Sequence, residues 1–192
     1  MKTTLRPASP KDRQALARCI AEGFEKDFSI LCKDMDKTAR ALEGGVQTQR
    51  FWVAEREGVL IGTAAVSDCQ GRAVLTDKAG YRKHFGPLRG RLALLVLKEE
   101  FEAPLDIPPE TGYLEFVTTD RRFRRQGVAT ALLQKIVSSG LYRDYILDVV
   151  NTNANAIRLY EKLGFREFRR SPEKHGTKKG FSAKIYMKYG GV

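Results

Sequence analysis

The chain has 192 residues, 42% of them hydrophobic, enough for one domain with its own core, so a single domain is expected over 1–192. With 34 Lys and Arg against 23 Asp and Glu the formal charge is +11, which favours phosphate-bearing or polyanionic ligands without choosing among them. The first residues run straight into Arg6 and charged sequence, and the longest apolar run is only 92–97, so neither a signal peptide nor a membrane-spanning helix is expected.

Cys19, Cys32 and Cys69 are odd in number, widely spaced and free of any C-x-x-C pattern or histidine cluster. They read as reduced thiols of a cytoplasmic protein, with no metal site.

In chain order, 4–6 suits a short edge strand. Ser9 can cap, Pro10 fits a first turn and Asp12 favours the positive end of a helix over about 10–22, with Leu16, Cys19, Ile20 and Phe24 at helical spacing. A weaker helix over about 34–43 should stop at Gly44 and Gly45. "FWVAEREGVLIGTAAV" then places two apolar runs around a turn at 56–58, predicting a β-hairpin of 51–55 with 59–66. The stretch 67–111 is too long for a simple connection and reads as an insertion, helix-like on either side of Gly86-Pro87 and loop-like at 104–109. It reads either as a lid or binding loop or, with its apolar run 92–97 packed on the domain, as a structural element, and that run leaves room for a homodimer contact.

"YLEFVTTDRRFRRQGVATALLQKIVSSG" follows, with a β-branched and aromatic strand at 113–119. Val128, Leu132, Leu133, Ile136 and Val137 then recur as one face of a helix drawn over 124–140. Gly127 at the mouth of that helix would let an anion approach unpaired N–H groups and the positive end of the dipole. Alternatively, it relieves crowding between strand and helix. The spacing is neither G-x-G-x-x-G nor G-x-x-x-x-G-K-[ST], which takes support from dinucleotide and P-loop readings. "YILDVVNTNANAIRLYEKLGF" adds a strand at 145–150 and a helix at about 154–163, with Asn153 placed to cap it and Gly164 to end it. The chain closes in a hairpin whose second strand alternates Phe181, Ala183, Ile185 and Met187 with Ser182, Lys184, Tyr186 and Lys188, joined by the basic loop "RRSPEKHGTKKG". His84 and His175 lack any partner spacing and read as surface residues.

Together, Arg124-x-x-Gly127-x-Ala129 and Asn153-x-x-Ala156-Ile157-x-Leu159-Tyr160-x-x-Leu163-Gly164-Phe165 resemble the two motifs of the GNAT family of N-acetyltransferases. The resemblance implies an α/β (α+β) fold with a central mixed, mostly antiparallel sheet flanked by helices, and acetyl-CoA as acyl donor, bound where the strands before and after the 124–140 helix splay apart. It puts the pyrophosphate on the loop of Arg124, Arg125, Gln126, Gly127, Val128, Ala129 and Thr130, and the pantetheine arm along Phe116, Val117 and Thr119. Asn153 would contact the cofactor, cap its helix, or do both.

Tyr160 matches the residue that protonates the departing thiolate in many members, a role suited to a phenol, although a lone tyrosine also packs on a helix face. Glu115, a carboxylate in mid-strand, is the first candidate for the base that deprotonates the ammonium. Asp148 and a water chain are the alternatives, and solvent-facing alternation would account for either carboxylate.

The implied reaction is direct acetyl transfer to a primary amine, small or peptidic, in a ternary complex. None of the cysteines sits in a nucleophile context, which disfavours a covalent route. A non-catalytic acyl-CoA sensor is the rival on the same fold. A nucleic-acid module would need a groove-facing helix or an aromatic-interleaved basic surface, and neither is legible in the sequence, so no specific nucleic-acid partner and no membrane partner are expected.

Overall fold

The computed structural model describes residues 3–173 and 180–190. In chain order these form β1 (Thr4–Pro7), α1 (Arg13–Gly23), the single turn α2 (Glu25–Phe28), α3 (Met35–Leu42), β2 (Phe51–Arg56), β3 (Val59–Ser67), α4 (Lys78–Phe85) and α5 (Pro87–Glu102). Then come β4 (Thr111–Thr119), α6 (Val128–Val137), β5 (Asp144–Val150), α7 (Ala154–Lys162), β6 (Arg166–Pro172) and β7 (Ala183–Tyr189). The strands make one sheet in the order β1-β2-β3-β4-β5-β7-β6. Every neighbouring pair is antiparallel except β4 and β5. This is the mixed, mostly antiparallel sheet expected from the sequence.

Each sheet face carries its own apolar cluster. On one, Leu16 and Ile20 of α1, Leu42 of α3, Tyr81 of α4 and Leu97 and Phe101 of α5 pack against Phe51, Val53 and Ala65. On the other, Leu132, Leu133 and Ile136 of α6 and Tyr160 of α7 pack against Ile61, Leu114, Leu147, Ile185 and Met187. The alternation of β7 therefore buries Ala183, Ile185 and Met187 and leaves Lys184, Tyr186 and Lys188 on the opposite face. At the amino-terminal edge, Arg6 of β1 binds Asp12 through both terminal nitrogens, at 2.8 and 2.9 Å, and reaches Glu55 of β2.

The differences from the sequence reading have local causes. The first helix begins as a 3-10 turn at Pro10–Asp12 and becomes α-helical only at Arg13. β4 starts at Thr111 rather than 113 because Thr111 and Gly112 pair with Asp144 and Tyr145. The helix drawn over 124–140 starts only at Val128, since Arg121–Phe123 is a separate 3-10 turn and both Arg125 (φ 60) and Gly127 (φ 78) are left-handed.

The stretch 67–111 holds α4 and α5, joined at Gly86, whose φ of 82 turns the chain before Pro87 opens the next helix. Of α5, only one side packs. Ala93, Leu97 and Phe101 are buried, whereas Leu88, Leu92, Leu95 and Val96 stay exposed. No helix among the described residues is long and apolar enough to cross a membrane.

Candidate active site

The site is built on a gap in the sheet. β4 and β5 pair only over Thr111–Tyr113 with Asp144–Ile146, after which β5 stays paired to β7 and β4 to β3. From Glu115 to Thr119 the β5-facing edge of β4 therefore has no strand partner among the described residues. A bulge sits in the same stretch: Thr63 pairs with Thr118 but Ala65 with Glu115, so β4 carries one extra residue. Phe116 absorbs it with φ 52, uncommon for a non-glycine residue, and is held by rings of Phe24, Phe51 and Phe101 at 5.8, 6.2 and 5.7 Å. Its side chain is committed to that aromatic cluster, so Phe116 can offer a ligand only main chain. Val117 packs on the opposite face, toward α6 and α7.

Below the gap lies the amino terminus of α6. Asp120 caps the 3-10 turn by accepting from Arg122 N at 2.9 Å, and Arg124 Nε folds back onto the Thr119 carbonyl at 3.2 Å. Gly127 is the N-cap of α6, and its carbonyl takes the first helical bond from Ala131 N at 2.9 Å. The amides of Val128, Ala129 and Thr130 thus precede any intrahelical acceptor. A Cβ built on Gly127 would meet nothing within 4 Å, so crowding does not explain the glycine. What requires it is the left-handed backbone, with open space directly over the helix end. Gln126 is tied to Arg56 Nη1 at 3.1 Å, and the side chains of Arg124, Arg125 and Gln126 are exposed. Asn153 caps α7 by accepting from Ala156 N at 3.2 Å and is itself exposed.

The two carboxylate candidates have different surroundings. Glu115 is nearly enclosed, 11% exposed, and paired with Arg72 Nη2 at 2.8 Å. It also accepts from the Ser67 hydroxyl and from Ala73 N at 3.3 Å. The same arginine donates to the Ala103 and Glu100 carbonyls at the end of α5, at 2.9 and 3.2 Å. Glu115 is thus engaged at the root of the 67–111 stretch by Arg72, Ser67 and Ala73.

Asp148 lies two residues past the last β4–β5 pair. Tyr113, at the end of that pairing, donates its hydroxyl to Asp148 Oδ1, while Lys184 Nζ stands 3.4 Å from Oδ2. Burial, with Asp148 adding to it, pushes the Tyr113 phenol far above its usual range, so it stays a donor. For Lys184 burial acts to lower the pKa, but Asp148 and Glu100 outweigh it and hold the ammonium protonated.

Sequence reasoning did not single out Tyr113, Arg72 or Lys184. Tyr113 shares the i, i+2 polar parity of Glu115, but nothing in the sequence shows the diagonal neighbour on β5 that gives it a role. Of the basic loop expected at 169–180, residues 169–172 belong to β6 through their pairing with β7, while 174–179, His175 among them, lie outside the described residues. His84 is on α4 and partly buried.

Tyr160 lies on the opposite face of the sheet, within the apolar cluster there. The pleat of β5 sends Asp148 to one side and Leu147 and Val149 to the other, where α7 holds Tyr160 at 8% exposure with its ring 5.9 Å from Phe165. Its hydroxyl makes no hydrogen bond among the described residues. Burial, and secondarily the field of Asp148, pushes its pKa up to about 12. Asp148 on one face of β5 and the Tyr160 phenol on the other are thus near enough for the carboxylate's field to reach the hydroxyl.

The acetyltransferase (GNAT) family model matches residues 14–165. Among curated proteins, the chain is 33% identical over 64 residues to N-alpha-acetyltransferase 30 of Dictyostelium discoideum, covering 32% of this chain and 35% of that protein. It is 35% identical over 57 residues to the Homo sapiens protein of the same name, covering 28% and 16%. The match thus spans about a third or less of the length of these relatives.

Solved structures resemble it over nearly its whole length. An N-acetyltransferase from Staphylococcus aureus Mu50 aligns with a TM-score of 0.64 and 17% identity, covering 97% of this chain and 100% of that one. The ribosomal-protein-S18-alanine N-acetyltransferase of Escherichia coli gives 0.59 and 18%, covering 97% and 92%. The YncA protein of Salmonella typhimurium, solved with its cofactor acetyl-CoA, gives 0.60 and 17%, covering 98% and 93%.

Proposed function

The chain belongs to the GNAT family of acetyltransferases, and from that premise we propose that it transfers an acetyl group from acetyl-CoA to a primary amine by direct attack in a ternary complex. The observation that carries this reading is the unpaired β4 edge opening directly onto a glycine-capped helix amino terminus. That arrangement fits the donor: free strand amides and carbonyls suit an amide-bearing arm, and the open backbone of Gly127 with the amides of Val128, Ala129 and Thr130 suits a pyrophosphate. Arg124 and Arg125 add positive charge at the mouth. Acetyl-CoA supplies the acetyl group as an activated thioester.

On the acceptor side, Asp148 is the base. It is the carboxylate at the gap, Tyr113 fixes one of its oxygens, and the nearby Lys184 ammonium indicates that the other oxygen can hold the kind of cation an amine substrate presents. Proton loss to Asp148 frees the nitrogen lone pair. The new N–C bond then forms as the C–S bond breaks, and Tyr160 donates a hydrogen bond to the sulfur as charge develops on it. A phenol near 12 is a weaker acid than a thiol near about 8.5, so Tyr160 acts first by stabilising the thiolate and only then by passing on a proton. Holding amine and thioester together supplies the larger share of the rate.

The test is calorimetric titration with acetyl-CoA together with a thiol-release assay over small amines and short peptides. Binding with amine-dependent release supports the reading. Binding without release from any amine favours the non-catalytic sensor, and absence of binding removes both.

A further inference from the structure

Among the described residues, the face of β5, β7 and β6 that carries Asp148 is partly open: Ile146, Asp148, Lys184, Tyr186 and Lys188 are half-buried and residues 166–170 of β6 are exposed. Pairing places residues in straight rows across these strands: Asp148 beside Tyr186 beside Arg169, and Ile146 beside Lys188 beside Arg166. Paired residues share a face, so Arg166 and Arg169, two of the three arginines of the outer strand, lie on the same side of the sheet as Asp148. The Arg169 guanidinium lies 4.3 Å over the Tyr186 ring, and Phe168, 55% exposed, sits 6.4 Å from that ring.

The other charges of these three strands are matched. Lys188 pairs with Asp144 at 3.3 Å, Lys184 with Asp148 and Glu100, and Arg170 with Glu167 at 2.8 Å. Arg166 and Arg169 have no acidic partner among the described residues. A charged edge strand also resists edge-to-edge pairing. That need would be met by either sign on either face, and it does not call for aromatic rings beside the charges.

We propose that this face docks the acidic stretch of a polypeptide acceptor whose amine lies at Asp148. The inference rests on the reading of Asp148 as the amine-binding base. Two strand spacings separate Asp148 from Arg169, roughly 10 Å, which an extended chain covers in about three residues. The recognised carboxylates therefore stand about three to five positions from the reacting amine. A nucleic acid could satisfy the arginines and rings but brings no aliphatic amine to the far end of the row. This is also the aromatic-interleaved basic surface that could not be read from the sequence, because its residues come from two strands.

The experiment uses two peptides with the same first two residues and either Asp/Glu or Asn/Gln at the third to fifth positions. Binding is followed by fluorescence anisotropy and acetyl transfer by thiol release, with wild type, an Arg166→Ala/Arg169→Ala double variant, and an Arg158→Ala/Lys162→Ala control that removes equal charge from α7. The acidic peptide should bind about tenfold more tightly and show a correspondingly lower KM. The double variant should erase that advantage through KM rather than kcat, and the control should keep it.

Equal binding of the two peptides, or an advantage that survives the double variant, overturns the proposal, as does displacement of the acidic peptide by a single-stranded RNA that binds more tightly and depends on the same arginines. Transfer to the neutral peptide without acidic preference defeats the docking surface and leaves the enzyme reading intact. Failure of thiol release with every amine defeats the enzyme reading, while anisotropy still decides the surface.

Discussion

Tyr113, on the last rung at which β4 and β5 are still joined, reaches diagonally to Asp148 two residues beyond its partner Ile146, where the two strands have parted. A carboxylate fixed at the opening of a sheet, and not inside it, can exchange a proton with whatever enters. Asp148→Asn is therefore expected to lower turnover about a hundredfold or more while leaving acetyl-CoA affinity unchanged. Tyr113→Phe, which frees the carboxylate to rotate, should cost less. Undiminished turnover in the asparagine variant would assign the proton to water.

Glu115 should behave in the opposite way. Replacing it with Gln strips the countercharge from an arginine that is itself 13% exposed, and breaking a buried pair by removing one partner costs about 3–5 kcal/mol. Denaturant unfolding of Glu115→Gln should show a loss on that order. Turnover measured well below the melting temperature should stay within about threefold of wild type, and a large fall with unchanged stability would restore Glu115 as a catalytic group.

At Gly127 shape and conformation can be separated. Asn tolerates the left-handed region, so Gly127→Asn should fold normally but place a side chain in the open space above the helix end. Acetyl-CoA affinity is expected to fall at least about tenfold. Gly127→Glu adds negative charge and should abolish binding, with far-UV circular dichroism largely retained. Wild-type affinity in both variants would separate this loop from the phosphates.

Tyr160 offers a test in pH. Because its pKa is raised to about 12, the hydroxyl is protonated throughout the neutral range and begins to ionise only as pH climbs toward that value. The ratio of wild-type to Tyr160→Phe turnover should therefore be flat between about pH 6.5 and 9.5, with the variant slower throughout. The sign for stability is the same: a phenol raised from about 10 contributes fully below pH 10 and loses its contribution as pH rises toward 12. A ratio that collapses near neutrality would mean that another group is the donor.

The linear features of the site could be read from the sequence, and the ones that depend on pairing could not. Gly127 and Asn153 announce themselves because helix ends are local, and the alternation from Ala183 to Met187 gives the buried face of β7 directly. The bulge at Phe116 is invisible in composition, yet it decides that this side chain leaves the cleft for an aromatic cluster. Likewise Glu115 stands out in the sequence as a mid-strand carboxylate, whereas the partner that engages it, Arg72, lies 43 positions away and gives no local signal. The exposed side of α5 was hidden by hydrophobicity itself, since an apolar run does not say which of its members face inward.

Arg72 joins two things that sequence keeps apart, closing the carboxyl end of α5 and neutralising Glu115 with one guanidinium. The last turn of that helix cannot fray while the ion pair holds, and the ion pair cannot open without stranding a charge beside β4. The two segments therefore open to solvent as one cooperative unit. Hydrogen exchange at the end of α5 should follow the slow amides of the central strand, making the stretch between β3 and β4 part of the rigid frame around the opening.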